Sequence, residues 1–250
     1  MDYNIRSWDV YPDHSREDNH CGSAGVSDPG YRNSGEIIMN ITIVGPGNMG
    51  RGIANRLVSG GHAVVFVAKD PAKAEAVAVE LRAGKPGAKV SVASLAEGLR
   101  NDVIVLALPY AAARAFAGEN AETLSGKTVV DISNPVNATY DGLVTAPGRS
   151  AAEEIAALLP KSKVVKAFNT TFAGTLVSGQ VDGHALDVFV ASNDDDAKAS
   201  VLALVGDGGL RGIDAGKLER ARQLEGLALL GITLQMPLGL GFQSAWKLVA

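Results

Sequence analysis

The sequence predicts an α/β protein: a parallel sheet with helices on both faces, plus a smaller C-terminal α/β region. Three observations carry the prediction. Short apolar runs alternate with helical patterns from residue 39 onward, which is the rhythm of βαβ units. Runs such as VIVLAL, beginning at Val103, are rich in Val, Ile and Leu without polar alternation, as strands covered on both faces are. A glycine cluster, Gly45-Pro46-Gly47-Asn48-Met49-Gly50, stands at the joint between the first strand and the first helix.

Taken in order, NITIV reads as a strand, MGRGIANRLVSG as a helix that stops at Gly60-Gly61, and HAVVFVA as a second strand. PAKAEAVAVELRAG is a helix with Asp70 as N-cap and Pro71 as its first residue. KVSVA and LAEGLRN give a short strand and a short helix; DVIVLALP, YAAARAFAGENAETL and KTVVDIS give strand, helix and strand. The rhythm loosens in NPVNATYDGLVTAPG, then resumes with the helix SAAEEIAALLP and the strand KVVKAF. LDVFVAS, a helix over 195–205, LRGID and a long helix from about Leu218 complete the chain. The apolar stretch after Leu224 is interrupted by Glu225, Gln235, Pro237 and several glycines, and reads as a buried helix.

Residues 1–38 show neither periodicity and are rich in Asp, Arg, Ser, Asn, Gly and Pro. Such a segment cannot bury enough apolar surface to offset the entropy of ordering it. The expectation is a disordered N-terminal extension over 1–38, or translation that begins at Met39. A dinucleotide-binding domain is expected over 39–165 and a C-terminal α/β and helical region over 166–250.

Composition excludes several classes. The formal charge of −4 leaves no basic excess for a phosphate backbone, so nucleic acid is not expected as a partner. No run of about 18 apolar residues exists, and the N-terminus lacks the apolar core of a signal peptide; no membrane partner and a cytoplasmic location are expected. The single cysteine, Cys21, makes no internal disulfide or CxxC metal site, and no metal is expected. Two of the four histidines, His14 and His20, lie in the tail, leaving His62 and His184. Acid–base and nucleophile chemistry is scarce, so a cofactor is expected to carry any reaction. No residue is singled out as catalytic. His184 reads as a loop histidine, and Phe168 and Trp246 as core or interface residues rather than ring-stacking ones.

The glycine cluster is a GxGxxG that follows a strand and opens a helix, the context of a Rossmann-type dinucleotide site. Gly45 permits the tight turn, Gly47 lets backbone approach a pyrophosphate, and Gly50 lets helix and strand pack closely. The helix start offers free N–H groups and a positive dipole end. NAD sites place a carboxylate at the end of the second strand. Here that position is Ala68, followed by Lys69 and, one turn on, Lys73, a charge pattern that favours the 2′-phosphate of NADP(H).

ITIVGPGNMG, VIVLALPY, VVDISNP, KAFNT, LDVFVASND, DAGKLERARQLE and GFQSAWKL occur in an order that resembles the NADP oxidoreductases dependent on the deazaflavin coenzyme F-420. More distantly, the chain is similar to the oxidoreductase domain of the STEAP metalloreductases. The resemblance implies hydride transfer between NADP(H) and a deazaflavin or flavin ring. It implies that Gly45, Pro46, Gly47, Asn48, Met49 and Gly50 form the pyrophosphate loop and that Lys69 and Lys73 meet the 2′-phosphate. Leu108, Pro109 and Tyr110 approach the nicotinamide side, with Tyr110 towards the substrate. Asn134, Pro135, Asn169 and Thr170 line the site of the second ring. A small-molecule hydride acceptor is the expected partner, and the apolar C-terminal region favours a homodimer. Reduction of a small imine or carbonyl, or NADP(H) sensing without turnover, are the alternatives.

Overall fold

The computed structural model describes residues 38–249, so the expectation for the extension lies, Ile38 apart, outside the described residues. The chain runs β1 (Asn40–Val44), α1 (Asn48–Ser59), β2 (Ala63–Val67), α2 (Pro71–Gly84), β3 (Val90–Val92), α3 (Leu95–Gly98), β4 (Val103–Leu106), α4 (Tyr110–Glu119) and β5 (Thr128–Asp131). It continues with α5 (Ala151–Leu158), β6 (Lys163–Lys166), α6 (Ala173–Ser178), β7 (Gln180–Val181), β8 (His184–Ala185) and β9 (Asp187–Ser192). Last come α7 (Asp195–Asp207), β10 (Arg211–Gly216), a 3-10 turn (Leu218–Arg220) and α8 (Ala221–Leu234). No helix among the described residues is long and apolar enough to cross a membrane.

Eight of these strands form one sheet in the order β10-β9-β6-β5-β4-β1-β2-β3. The first six strands of the chain are parallel, and their order reverses between β1 and β4. That reversal opens a crevice at the carboxyl ends of the strands, where open α/β sheets bind ligands. β9 pairs antiparallel with β6 and parallel with β10.

The expected boundary between residues 165 and 166 falls inside β6. Val165 is opposite Val130 of β5 on one side and Ser192 of β9 on the other, so hydrogen bonding carries the sheet through that point. β9 and β10 extend the first sheet, β7 and β8 pair as a separate hairpin, and the described residues form one compact unit.

Successive residues of the central strands point to opposite faces. Ile41, Ile43, Val105, Val130 and Val165 pack with Ile53, Leu57, Leu176 and Val201 of α1, α6 and α7. Ile104, Leu106, Val129 and Val164 pack with Ala113, Ala117, Ile155 and Leu159 on the side of α4 and α5. Each fully buried aliphatic side chain contributes roughly 1.5–3 kcal/mol. These two cores fix where the strand ends, and the loops beyond them, stand.

Candidate active site

The turn from β1 to α1 sits at the crevice. Val44 accepts a hydrogen bond from Ala107 N at 2.9 Å, and Gly45 N donates to Val67 O at 2.9 Å, so the ends of β4, β1 and β2 are tied together. Gly45 has φ +107°, and a Cβ there would lie 2.4 Å from the Ala107 carbonyl oxygen. A Cβ on Gly50 would lie 2.1 Å from the Gly45 carbonyl oxygen, so only glycine lets α1 press onto the turn. At Gly47 a Cβ would meet nothing within 4 Å. Gly47 is exposed, extended backbone that leads into the helix, with open space beside it.

α1 has no side-chain cap and no acidic residue in its first turn. Four other helices carry such caps: Asp70 on α2, Ser94 on α3, Ser150 on α5 and Asp194 on α7. The start of α1 therefore keeps donors and its positive dipole end for an anion. Pro46 and Met49 are half-buried beside it, and Asn48 is exposed.

At the end of β2, Ala68 is half-buried and Lys69 exposed. The Asp70 carboxylate accepts from Ala72 N at 3.0 Å and Lys73 N at 3.2 Å, so it caps α2. Lys69 and Lys73 are exposed and, among the described residues, pair with no carboxylate. An open glycine, an uncapped helix start and two exposed ammonium groups fit a dinucleotide with a third phosphate.

β4, β5 and β6 are neighbours in the sheet and parallel, so the loops after them emerge side by side at the same edge. Leu108 is half-buried and Pro109 exposed, just before α4. The Tyr110 hydroxyl donates to Glu154 of α5, and burial, followed by Glu154, pushes its pKa up to about 12. The hydroxyl is thereby engaged with α5, and only the ring of Tyr110 is left for a ligand.

Asn134 and Asn169 come together across 35 positions of sequence. Asn134 Nδ2 donates to Asn169 O at 2.8 Å, and Asn169 Nδ2 donates to Asn134 Oδ1 at 2.9 Å. Asn169 Nδ2 also donates to Leu224 O at 3.0 Å, which leaves Asn169 Oδ1 buried and unpartnered. An orphaned buried acceptor costs roughly 1–3 kcal/mol unless something donates to it. Pro135 and Thr170 are buried beside the pair. Phe168 is buried with φ +61°, and Thr171 Oγ1 donates to its carbonyl at 2.7 Å. Left-handed backbone at a bulky residue is strain of the kind that clusters at functional sites.

The expectation that Phe168 belongs to the core agrees with its place there. Trp246 is half-buried and lines a cavity of about 140 Å³ with Phe172, Leu234 and Leu240. His184 is exposed on the hairpin of β7 and β8.

A set of buried charges escaped sequence reasoning. Lys166 Nζ, at the end of β6, donates to Asp131 Oδ2 at 2.8 Å, Glu225 Oε1 at 2.8 Å and Ser133 O at 2.5 Å. Asp131 is the last residue of β5 and lies directly opposite Lys166. All three ionic side chains are fully buried. Glu225 also accepts from Ala151 N at 2.9 Å and Ala152 N at 3.4 Å, at the start of α5. Burial alone lowers the Lys166 pKa, but the charges of Asp131 and Glu225 outweigh it and hold the ammonium above its ordinary value. Burial raises Glu225, which shares one ammonium with a second carboxylate. The available signal was a charge inside an otherwise apolar run, in VVDIS, KVVKAF and LEGLALL.

Known proteins give this geometry a context. The family model described as NADP oxidoreductase, coenzyme F420-dependent, matches residues 40–135. The F420-dependent NADP reductase of Methanocaldococcus jannaschii is 32% identical over 212 residues, covering 79% of this chain and 93% of that protein. Metalloreductase STEAP3 of Rattus norvegicus is 29% identical and matches 76% of this chain but 36% of its own length. A crystal structure from Arthrobacter sp. FB24, described as a candidate F420-dependent NADP-reductase, superimposes with a TM-score of 0.73 at 32% identity, covering 85% of this chain and 100% of that one. The chain belongs to the coenzyme F420-dependent family of NADP oxidoreductases.

Proposed function

We propose that this member of the family transfers hydride between NADP(H), seated on the β1–α1 turn, and a deazaflavin ring held over the loops after β5 and β6. The observation that carries the reading is the Asn134–Asn169 pair. It stands at the same sheet edge as the open phosphate turn, and it leaves one acceptor, Asn169 Oδ1, buried without a donor, the kind of unsatisfied group that marks functional sites. NADP(H) supplies the hydride chemistry. The chain's part is to bind and orient, which is where most of the rate of a ring-to-ring transfer arises. Backbone N–H groups of Asn48, Met49 and Gly50 take the pyrophosphate and Lys69 and Lys73 the 2′-phosphate. Leu108 and Pro109 bound the nicotinamide side. Pro135, Asn169 and Thr170 seat the acceptor. Tyr110, its hydroxyl tied to Glu154, is no acid at neutral pH, so no proton donor is assigned to the site.

The reading includes a homodimer. Met236, Leu238 and Phe242, beyond α8, are 85%, 60% and 45% exposed, apolar side chains in one short segment that a second copy would cover. Sedimentation at micromolar concentration tests it, and a monomer removes it.

The central test is NADPH oxidation with the deazaflavin coenzyme, FMN, FAD and a set of small imines as acceptors. Turnover with the deazaflavin and little with the rest is expected. Asn169→Leu should then lower turnover while NADPH binding stays within about twofold, since Asn169 meets only the acceptor. Turnover with an imine and none with a ring replaces this reading with imine reduction. NADPH binding without any turnover replaces it with sensing.

A further inference from the structure

We infer that Lys166 is a positioning residue for the acceptor site: through Ser133 and Glu225 it holds the Asn134–Asn169 pair in a single arrangement at the edge of that site. The inference rests on the function proposed above. The hydrogen bonds close a ring. Lys166 holds the carbonyl of Ser133, whose next residue is Asn134; Asn134 and Asn169 hold each other. Asn169 holds the carbonyl of Leu224, whose next residue is Glu225, and Glu225 returns to Lys166. Three segments that are distant in sequence, the ends of β5 and β6 and the second turn of α8, meet at one ammonium group, and Glu225 ties in the start of α5.

Lys166 does not act on a ligand itself. It is fully buried, and its three acceptors match its three N–H groups. Stability alone does not call for it either, because a buried ion cluster replaced by apolar groups is often as stable or more so. A satisfied buried network does restrict geometry, and it borders the amide pair directly. Outer partners of this kind change affinity or rate without touching the ligand.

The test uses the full chain, with Lys166→Met and with the charge-neutral combination of Asp131→Asn, Lys166→Met and Glu225→Gln. The combination leaves no buried charge unpaired and keeps an acceptor at the start of α5, so it covers the case in which the single variant does not fold. Two readouts are taken. The first is hydrogen exchange of the Asn134 and Asn169 side-chain amides, followed by nuclear magnetic resonance on protein labelled at asparagine. The second is KM and kcat for the deazaflavin coenzyme, with Kd for NADPH.

In the unaltered protein, Asn169 should be strongly protected; exchange as fast as that of an exposed asparagine overturns the inference without any variant. In a folded variant, amide protection should fall at least about tenfold and kcat/KM for the acceptor by about 10–100-fold, with NADPH Kd within about twofold. A lower melting temperature with protection and kcat/KM unchanged makes Lys166 purely structural and overturns the inference. If the unaltered protein does not turn over the deazaflavin, the proposed function fails, and amide exchange still decides the role of Lys166.

Discussion

The two sides of the crevice use charge in opposite ways. On the proposed nucleotide side, Lys69 and Lys73 stand exposed near the end of β2, and the start of α1 carries no side-chain cap. On the proposed acceptor side, Asp131 and Glu225 are sealed in the interior and both paired with Lys166. The first arrangement leaves its charge exposed to solvent. The second uses its charge to hold chain segments in place, beside a buried amide oxygen that has no donor. A phosphate needs positive potential and N–H donors, which a turn can provide locally. A flat neutral ring needs walls at fixed positions, which only distant segments locked together can provide.

The sharpest way to break this comparison is to remove one lysine from each side. Lys166→Met leaves two buried carboxylates without their cation and should cost about 3–5 kcal/mol in urea unfolding at pH 7. Lys69→Met should change stability by no more than about 0.5 kcal/mol. Equal effects would show that the acceptor-side network is solvated.

Two glycines divide the phosphate turn in the same way. A side chain at Gly50 meets the Gly45 carbonyl at 2.1 Å, and Gly50→Ala should destabilise by about 3 kcal/mol, read from the shift in melting temperature. At Gly47 the space is open, so Gly47→Ala should keep the melting temperature and weaken NADPH binding. Normal NADPH binding by Gly47→Ala would move the pyrophosphate off this turn.

Asp187 sharpens the contrast among buried carboxylates. Burial raises its pKa, but hydrogen bonds from Arg211 and Lys247 and the Leu248 N–H outweigh this and take it down to about 2. The bonds from Lys247 and Leu248 fasten the C-terminal segment to β9, and the bond from Arg211 ties β10 to it. A depressed carboxylate stabilises at pH values above its unfolded pKa, near 4, and loses that contribution as pH falls through about 2. Asp187→Asn should therefore cost about 2 kcal/mol at pH 7, and the difference from the unaltered protein should vanish near pH 2 in denaturant titrations. A difference that persists there would mean that packing, not charge, fastens the segment. Glu225, raised rather than lowered, has no such acid-side profile.

The smallest effect belongs to the exposed charge. Lys69→Asp should lower NADPH affinity about tenfold, or 1.4 kcal/mol, in a fluorescence titration, and reduce the preference over NADH. Unchanged affinity would assign the 2′-phosphate elsewhere.

The sequence by itself determined the parts whose physics is local. The β1–α1 glycines, the Asp70 cap and the strands up to β6 follow from periodicity and turn chemistry within a few residues of each other, and the structure has them where those rules put them. Asn134 and Asn169 were legible as polar residues just past strand ends. Tertiary structure decided the rest. α6 has six residues and its helical form depends on burying Leu176 against α1, so its own sequence carries little signal. Nothing near Val165 shows that β9 will pair with it in the opposite direction and continue the sheet to β10. Lys166, Asp131 and Glu225 look like three unrelated charges until folding brings them within 2.8 Å, because an ion cluster is a property of contact and contact is not written in spacing. The same holds for the Asn134–Asn169 pair: each residue could be read alone, but the unpartnered oxygen exists only once the other atoms have found their partners.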